Sequence, residues 1–418
     1  MTSPASKPLA FALALVAAVL GSVGPAAAEP TARRVAVVLV EFDDSALTDV
    51  PGLKRKARDL IFDAPGSAAR YYAAQSHGQR TMTLAGGEVH GPVTLDGAAT
   101  CDTKAMVAKA ESVLADVPHD DLAVVFPNAK ADCGWGGLGE MPGKRTWFPA
   151  EHLNQAAVLH EFGHNLGFNH QVRDICESGT VTGCRKDGHS GRTPMGGGGA
   201  EVGLSAPELV SMKWLAAGRR VAPRATTSVR LVALHAPESA GGTRAVDVPL
   251  GGDRLVVEYR APGGVDRSVP RGVNVYRVPG GKYQAAHLID GGSEKSVPVG
   301  RTLVAADISV TVLAADATSA EVRIAVGPDL PATTAKPSSP PASATTTAPP
   351  SSSTTSATSS SATTSDDPLA DDIVVGAPVP AAASVQTADE EWFGYAVIGG
   401  ALIVVLFGVL LVRAQRDR

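Results

Sequence analysis

Residues 160–170 read His-Glu-Phe-Gly-His-Asn-Leu-Gly-Phe-Asn-His, and no other stretch restricts the folding of the chain as much. Residues one helical turn apart share a face, so on a helix His160 and His164 present their imidazoles to the same point. Gly167 follows where a helix can stop on a left-handed residue without a Cβ clash. The chain can then turn back and carry His170 to that point. Three imidazole nitrogens at about 2.0–2.1 Å from one ion make a zinc site with a position left open, the arrangement of a catalytic rather than a closed structural site. Glu161, beside the histidines, is the expected general base, taking a proton from a water that the ion acidifies and passing it to a leaving amine. The motif therefore predicts a helix over Leu153 to Leu166, Zn2+ as cofactor on His160, His164 and His170, and hydrolysis of an amide.

The same residues resemble the zinc motif of the metzincin metallopeptidases, which also carry a methionine turn below the metal. Thr193-Pro-Met-Gly-Gly-Gly supplies Met195 for that turn. Pro194-Met-Gly-Gly-Gly, Leu204-Ser-Ala-Pro-Glu-Leu and Lys213-Trp-Leu look like the gametolysin (autolysin) family within that clan. Upstream, Ala69-Arg-Tyr-Tyr-Ala-Ala-Gln-Ser-His-Gly is similar to a segment of that family and of related bacterial secreted peptidases. The resemblance spans residues 33–216. It implies that the glycine-rich stretch from Trp135 to Gly139 is an edge strand that pairs with an extended peptide substrate. Gln171 differs from the residue that follows the third histidine in several other metzincin families. No tyrosine follows Met195 closely, so the resemblance assigns no extra transition-state donor.

Both ends of the 418-residue chain read as targeting segments rather than as fold. Lys7, the apolar run Leu9 to Leu20 and Ala26-Ala27-Ala28 form a signal peptide over residues 1–28, with cleavage expected after Ala28. Trp392 to Val412 carries no charge and is long enough to cross a hydrocarbon core of about 30 Å as a helix. Glu390 and Glu391 precede it and Arg413, Arg416 and Arg418 follow, which leaves residues 413–418 in the cytoplasm and the main body outside. Residues 328–391, rich in Ser, Thr, Pro and Ala, cannot bury enough apolar surface to order themselves and read as a disordered stalk. As a flexible coil the stalk would average about 45 Å end to end.

Export agrees with cysteine usage. Cys101, Cys133, Cys176 and Cys184 are an even set in an oxidising compartment. Three pairings are possible, and Cys101 with Cys133 and Cys176 with Cys184 is the expected one. The net charge of -5, without a basic cluster, argues against a nucleic-acid partner.

Two textures lie between signal and stalk. Up to Gly218, strand patterns at Arg34–Phe42, Thr81–Leu84 and Asp121–Phe126 alternate with helical ones at Leu53–Phe62, Ala68–Gln75 and Thr103–Ala115. From Arg219 to Val326 short alternating runs such as Arg254–Arg260 and Gly272–Val278 are separated by Pro-Gly-Gly turns. The expected fold is an α+β metzincin-like catalytic domain over 29–218, with mixed sheet, zinc helix and Met-turn, and then an all-β sandwich-like domain over 219–327. His77, His90, His119, His152, His189, His235 and His287 lack ligand spacing and read as surface or structural histidines, with His152 and His189 flanking the motif and the methionine turn. Asp43-Asp44 and Asp120-Asp121 read as solvated acids at strand ends.

Together these features predict a membrane-anchored extracytoplasmic zinc metalloendopeptidase acting on a protein or peptide. Two alternatives use the same residues: a surface adhesin with a vestigial peptidase domain, or a hydrolase of peptidoglycan peptide amides.

Overall fold

The computed structural model describes residues 31–176, 179–290 and 295–327. The expected signal peptide, stalk, membrane span and tail lie outside these residues. No helix among the described residues is long and apolar enough to cross a membrane.

The long strand β1 (Thr31–Phe42) organises the N-terminal half. Its run Val35 to Val40 is apolar at every position because both faces are covered, as parallel sheets require. β1 pairs in parallel with β2 (Arg80–Leu84) along its first half, with β3 (His90–Leu95) along its second, and with β4 (Asp121–Phe126) on the other side. Then come β5 (Leu138–Gly139) and β6 (Arg145–Pro149), which give the order β2-β1-β4-β6-β5 with β5 antiparallel at the edge.

On one face Val35, Val37 and Leu39 pack with α1 (Val50–Arg58), α2 (Ala68–Gln75) and α4 (Gln155–Asn165). On the other face Ala36, Val38 and Val40 pack with Met106 and Ala110 of α3 (Thr103–Glu111). The helix expected to run to Ala115 stops earlier, where the Ser112 hydroxyl donates to the Lys109 carbonyl and competes with the helical bonds. The helix expected over Leu53–Phe62 begins at Val50, capped by Asp49, and widens into a π-helical turn over Asp59–Asp63.

The remaining strands are β7 (Val172–Ile175), β8 (Arg185–His189), β9 (Arg220–Val221), β10 (Thr227–Val232), β11 (Ala245–Leu250) and β12 (Asp253–Arg260), then β13 (Gly272–Val278), β14 (His287–Asp290), β15 (Thr302–Ala305), β16 (Ile308–Ala315) and β17 (Ser319–Val326). The helix α5 (Ala206–Ser211) lies between β8 and β9. A seven-stranded sheet has the order β8-β7-β14-β13-β12-β11-β9, and a four-stranded sheet the order β10-β17-β16-β15. Val246, Val257 and Val275 of the first share one apolar cluster with Leu231, Val310 and Val322 of the second. The boundary expected at residue 218 does not divide the sheets. β7 and β8 join the seven-stranded sheet through the parallel pair of β7 with β14, Leu288 opposite Arg173.

Both expected disulfides are present. Cys101–Cys133 fixes the loop that leads into β5, and Cys176–Cys184 closes the turn between β7 and β8. Of the paired acids expected to be solvated, Asp43 and Asp44 are exposed and also accept from the backbone amides of Gly97 and Ala99 at 2.7 and 2.8 Å, Asp120 is partly exposed, and Asp121 departs from the expectation, buried against Arg33.

Candidate metal centre

The helix α4 starts where the Asn154 side chain accepts a hydrogen bond from the Ala157 amide at 3.0 Å. Two turns on, His160 and His164 stand on one face. Gly167, at φ 91°, ends the helical path, and the Phe168 amide reaches back to the Gly163 carbonyl at 3.2 Å. The Asn169 amide then bonds to the Gln284 carbonyl at 3.0 Å, and His170 follows in the returning chain.

These three histidines form the one cluster of potential metal ligands among the described residues. Their Nε2 atoms lie 3.1, 3.2 and 3.1 Å from one another. The Nδ1 of His160 faces the Pro194 carbonyl at 2.9 Å, and that of His164 faces the Phe168 carbonyl at 2.8 Å. A carbonyl oxygen only accepts, so in both rings Nδ1 carries the proton and Nε2 presents a lone pair. Lone pairs aimed at each other across about 3 Å repel unless a cation lies among them. Tetrahedral coordination at about 2.0–2.1 Å needs nitrogens about 3.3–3.4 Å apart, close to the spacing found, so the donor set fits zinc. Burial first, and then the neighbouring histidines, push His160 down to about 3 and His170 down to about 4. Both rings are thus neutral at physiological pH, the state in which imidazole binds a metal.

Met195 lies beneath this group, fully buried in a short turn over Pro194–Gly196. Its sulfur sits so close to the helix that a Cβ on Gly163 would be 2.3 Å from Sδ, which explains the glycine inside the motif. The Met195 carbonyl accepts from the Gln171 amide at 2.9 Å, and the Gln171 side chain donates to Ser205 Oγ at 2.9 Å. Ser205 and Glu208 form a capping box at the start of α5. The residue after the third histidine thereby ties the ligand loop to the Ser-Ala-Pro segment.

Glu161 is buried, and the glycine-rich strand covers it. A Cβ on Gly137 would be 2.7 Å from its Oε1, and one on Gly139 would be 2.4 Å from its backbone oxygen. Burial raises the Glu161 carboxyl to about 8, with the Gly139 amide pulling the other way. Asn165, the last residue of α4, donates to the carbonyls of Glu140 and Arg145 at 3.0 and 2.9 Å and so fastens the β5–β6 hairpin to the helix.

Three supports of the site came to light only in the folded chain. The Tyr72 hydroxyl donates to the Leu159 carbonyl inside α4, the Tyr71 hydroxyl to the Val202 carbonyl at 3.0 Å, and the Leu204 amide to Gln75 Oε1 at 3.0 Å. The Tyr-Tyr-Ala-Ala-Gln segment is therefore a clamp on the helix that carries His160 and His164 and on the loop after Met195. His189, read from sequence as a surface or structural histidine flanking the methionine turn, stands against His170 with ring centroids 5.6 Å apart.

No curated protein matches the chain. Among solved structures, wild-type OgpA from Akkermansia muciniphila is similar in two crystal forms. In one, identity is 13% over 62% of this chain and 88% of that chain, with a TM-score of 0.30. In the other, identity is 12% over 72% and 94%, with a TM-score of 0.29. Catalytically inactive OgpA in complex with an O-glycopeptide, glycodrosocin, is 10% identical over 62% and 87%, with a TM-score of 0.29. Residues 93–224, the stretch that holds the three histidines, Glu161 and Met195, match the family model described as Gametolysin peptidase M11, a match that supports a gametolysin-like metallopeptidase.

Proposed function

We propose that the chain is a membrane-anchored, extracytoplasmic zinc endopeptidase of the metzincin type, with His160, His164 and His170 as zinc ligands, Glu161 as general base and Met195 in the Met-turn. The observation that carries this reading is three imidazole Nε2 atoms converging within 3.1–3.2 Å beside one buried carboxylate. Zinc bound there supplies a Lewis acid that polarises the scissile carbonyl and acidifies water. Glu161 takes the proton of the attacking water on its carboxylate and returns it to the departing amine nitrogen. Burial favours that exchange, because a carboxylate taken out of water is a stronger proton acceptor. β5 is at the edge of its sheet, where an extended peptide can add as the next strand. Asn165 keeps that edge in register with the helix. The leader over residues 1–28 and the uncharged segment over 392–412 support an anchored site outside the cell.

Replacing Glu161 with Gln tests the chemistry. The variant is expected to keep one zinc per chain and to lose about 10²–10⁴-fold in kcat. Peptides released from a whole proteome, with and without chelator, report whether the wild type cleaves peptide bonds. Cleavage that survives both the substitution and the chelator refutes the proposal. Deleting residues 392–418 is expected to move the activity from the membrane fraction to the medium.

A further inference from the structure

Four histidines, not three, meet at the centre. His189 closes β8 and pairs with Val172, so the backbone register of the β7–β8 hairpin sets its position. Its ring meets that of His170 nearly at right angles, 88°, with centroids 5.6 Å apart. It is not part of the ligand cluster. Its Nδ1 is shut away from solvent and has no hydrogen-bond partner.

The contrast with the ligands carries the argument. His160 and His164 each have Nδ1 fixed by a carbonyl, so their remaining nitrogen is committed as a lone pair. Nδ1 of His189 has no acceptor, so the neutral ring carries its proton on Nε2, the nitrogen that is not sealed, and presents that N–H beside the ligands. At this site the atom that gains charge during hydrolysis of an amide is the carbonyl oxygen, and a fixed N–H aimed at it is worth most in the transition state. No tyrosine closely follows Met195 to serve that purpose.

We infer that His189 is a catalytic residue that donates an imidazole N–H to the carbonyl oxygen of the substrate as the scissile carbon becomes tetrahedral. This inference rests on the peptidase reading above. His189 binds no metal and breaks no bond itself.

The full chain is compared with its His189→Phe and His189→Gln variants. Phe keeps the ring and its packing but has no N–H, whereas Gln keeps a donor. Metal content, kcat, KM and the affinity for a phosphinic pseudopeptide, a tetrahedral mimic, are measured for each. His189→Phe is expected to hold one zinc, to lose about 10²–10³-fold in kcat with KM within about three-fold, and to lose phosphinate affinity by a similar factor. His189→Gln is expected to recover most of both losses. A Phe variant with wild-type kcat and phosphinate affinity overturns the inference. So does one that loses its zinc, which would make His189 a support of the ligands. A wild type that neither cleaves peptides nor binds the phosphinate overturns the peptidase reading, and this inference with it.

Discussion

Gly163 is where the zinc helix and the loop beneath it touch. Alanine there would gain about 1 kcal/mol in helix propensity over glycine. Its Cβ, however, would lie 2.3 Å from Met195 Sδ and 3.1 Å from the Tyr72 hydroxyl, in a region where Met195 is fully buried. Overpacking of this kind costs about 1–3 kcal/mol and outweighs the propensity gain. Gly163→Ala should therefore melt several degrees below the wild type in calorimetry. It should also bind zinc more weakly in a competition titration, because the displaced turn includes the Pro194 carbonyl that fixes His160. A variant that melts higher would show that the turn has room to move. The histidine spacing and the need for Glu161 were legible in the sequence because they depend on one turn of helix. Gly163 was not, since it acts through Met195, far along the chain, and His189 stood out only as a neighbour of the methionine turn, its contact with His170 being set by the β7–β8 pairing.

At the scale of elements, the edge hairpin and the short helix α5 make separate demands. Asn165 donates to the Glu140 and Arg145 carbonyls in a part-buried setting, and each such bond contributes about 0.5–1.5 kcal/mol. Asn165→Ala should release β5 while the histidines stay in place. The expected result is a kcat/KM for long peptides about ten-fold lower, with zinc content unchanged. Equal losses on long and on minimal substrates would argue against β5 as the substrate strand. In α5, burial raises the capping-box carboxyl Glu208 to about 7, against hydrogen bonds from Ser205 that lower it. Between the ordinary carboxyl pKa and about 7 the folded chain keeps a proton that the unfolded chain has released. Its contribution to stability is therefore full below about 4.5 and is lost as pH rises through 7. Glu208→Gln removes that titration, so the stability of the wild type relative to the variant should fall between pH 5 and pH 8 in urea melts at constant metal content. A constant difference would mean that Glu208 is ionised throughout. Strands with clear apolar patterns, such as β1, β4, β12 and β13, were legible before folding. β3 was not, because Pro92 interrupts its pattern, and neither was β6, whose five residues are too few to show one, while parallel neighbours hold both in the sheet.

For the molecule as a whole, the change of sequence texture at Gly218 suggests two bodies, yet the contacts join the two textures. Val256, Tyr276, Val278 and Leu288 share a core cluster with Phe168, Met195, Leu204 and Trp214. Two buried acids, Glu258 on β12 and Asp266 in the β12–β13 connection, hold the chain after the methionine turn, with Glu258 accepting from the Ala206 amide at 2.6 Å and Asp266 from the Gly203 amide at 2.7 Å. Arg260, itself fully buried, pairs with both carboxylates and donates to the Gly203 carbonyl at 3.1 Å. Pattern alone could not reveal this, because the alternation in 219–327 fixes which face of a strand is buried and not what it is buried against. Each large apolar side chain returned to water costs about 1.5–3 kcal/mol, so a handful of them equals the whole stability of about 5–15 kcal/mol typical of a domain. A chain cut after Gly218 also leaves β7 and β8 without β14 and leaves the Gly203 and Ala206 amides without their acceptors. That chain is expected to be protease-sensitive, with no cooperative melt and little zinc affinity. Residues 31–327 should instead unfold in a single transition that zinc shifts upward. If the shorter chain melts cooperatively and binds zinc as the longer one does, the seven-stranded sheet is an appendage to the metal centre rather than one of its walls.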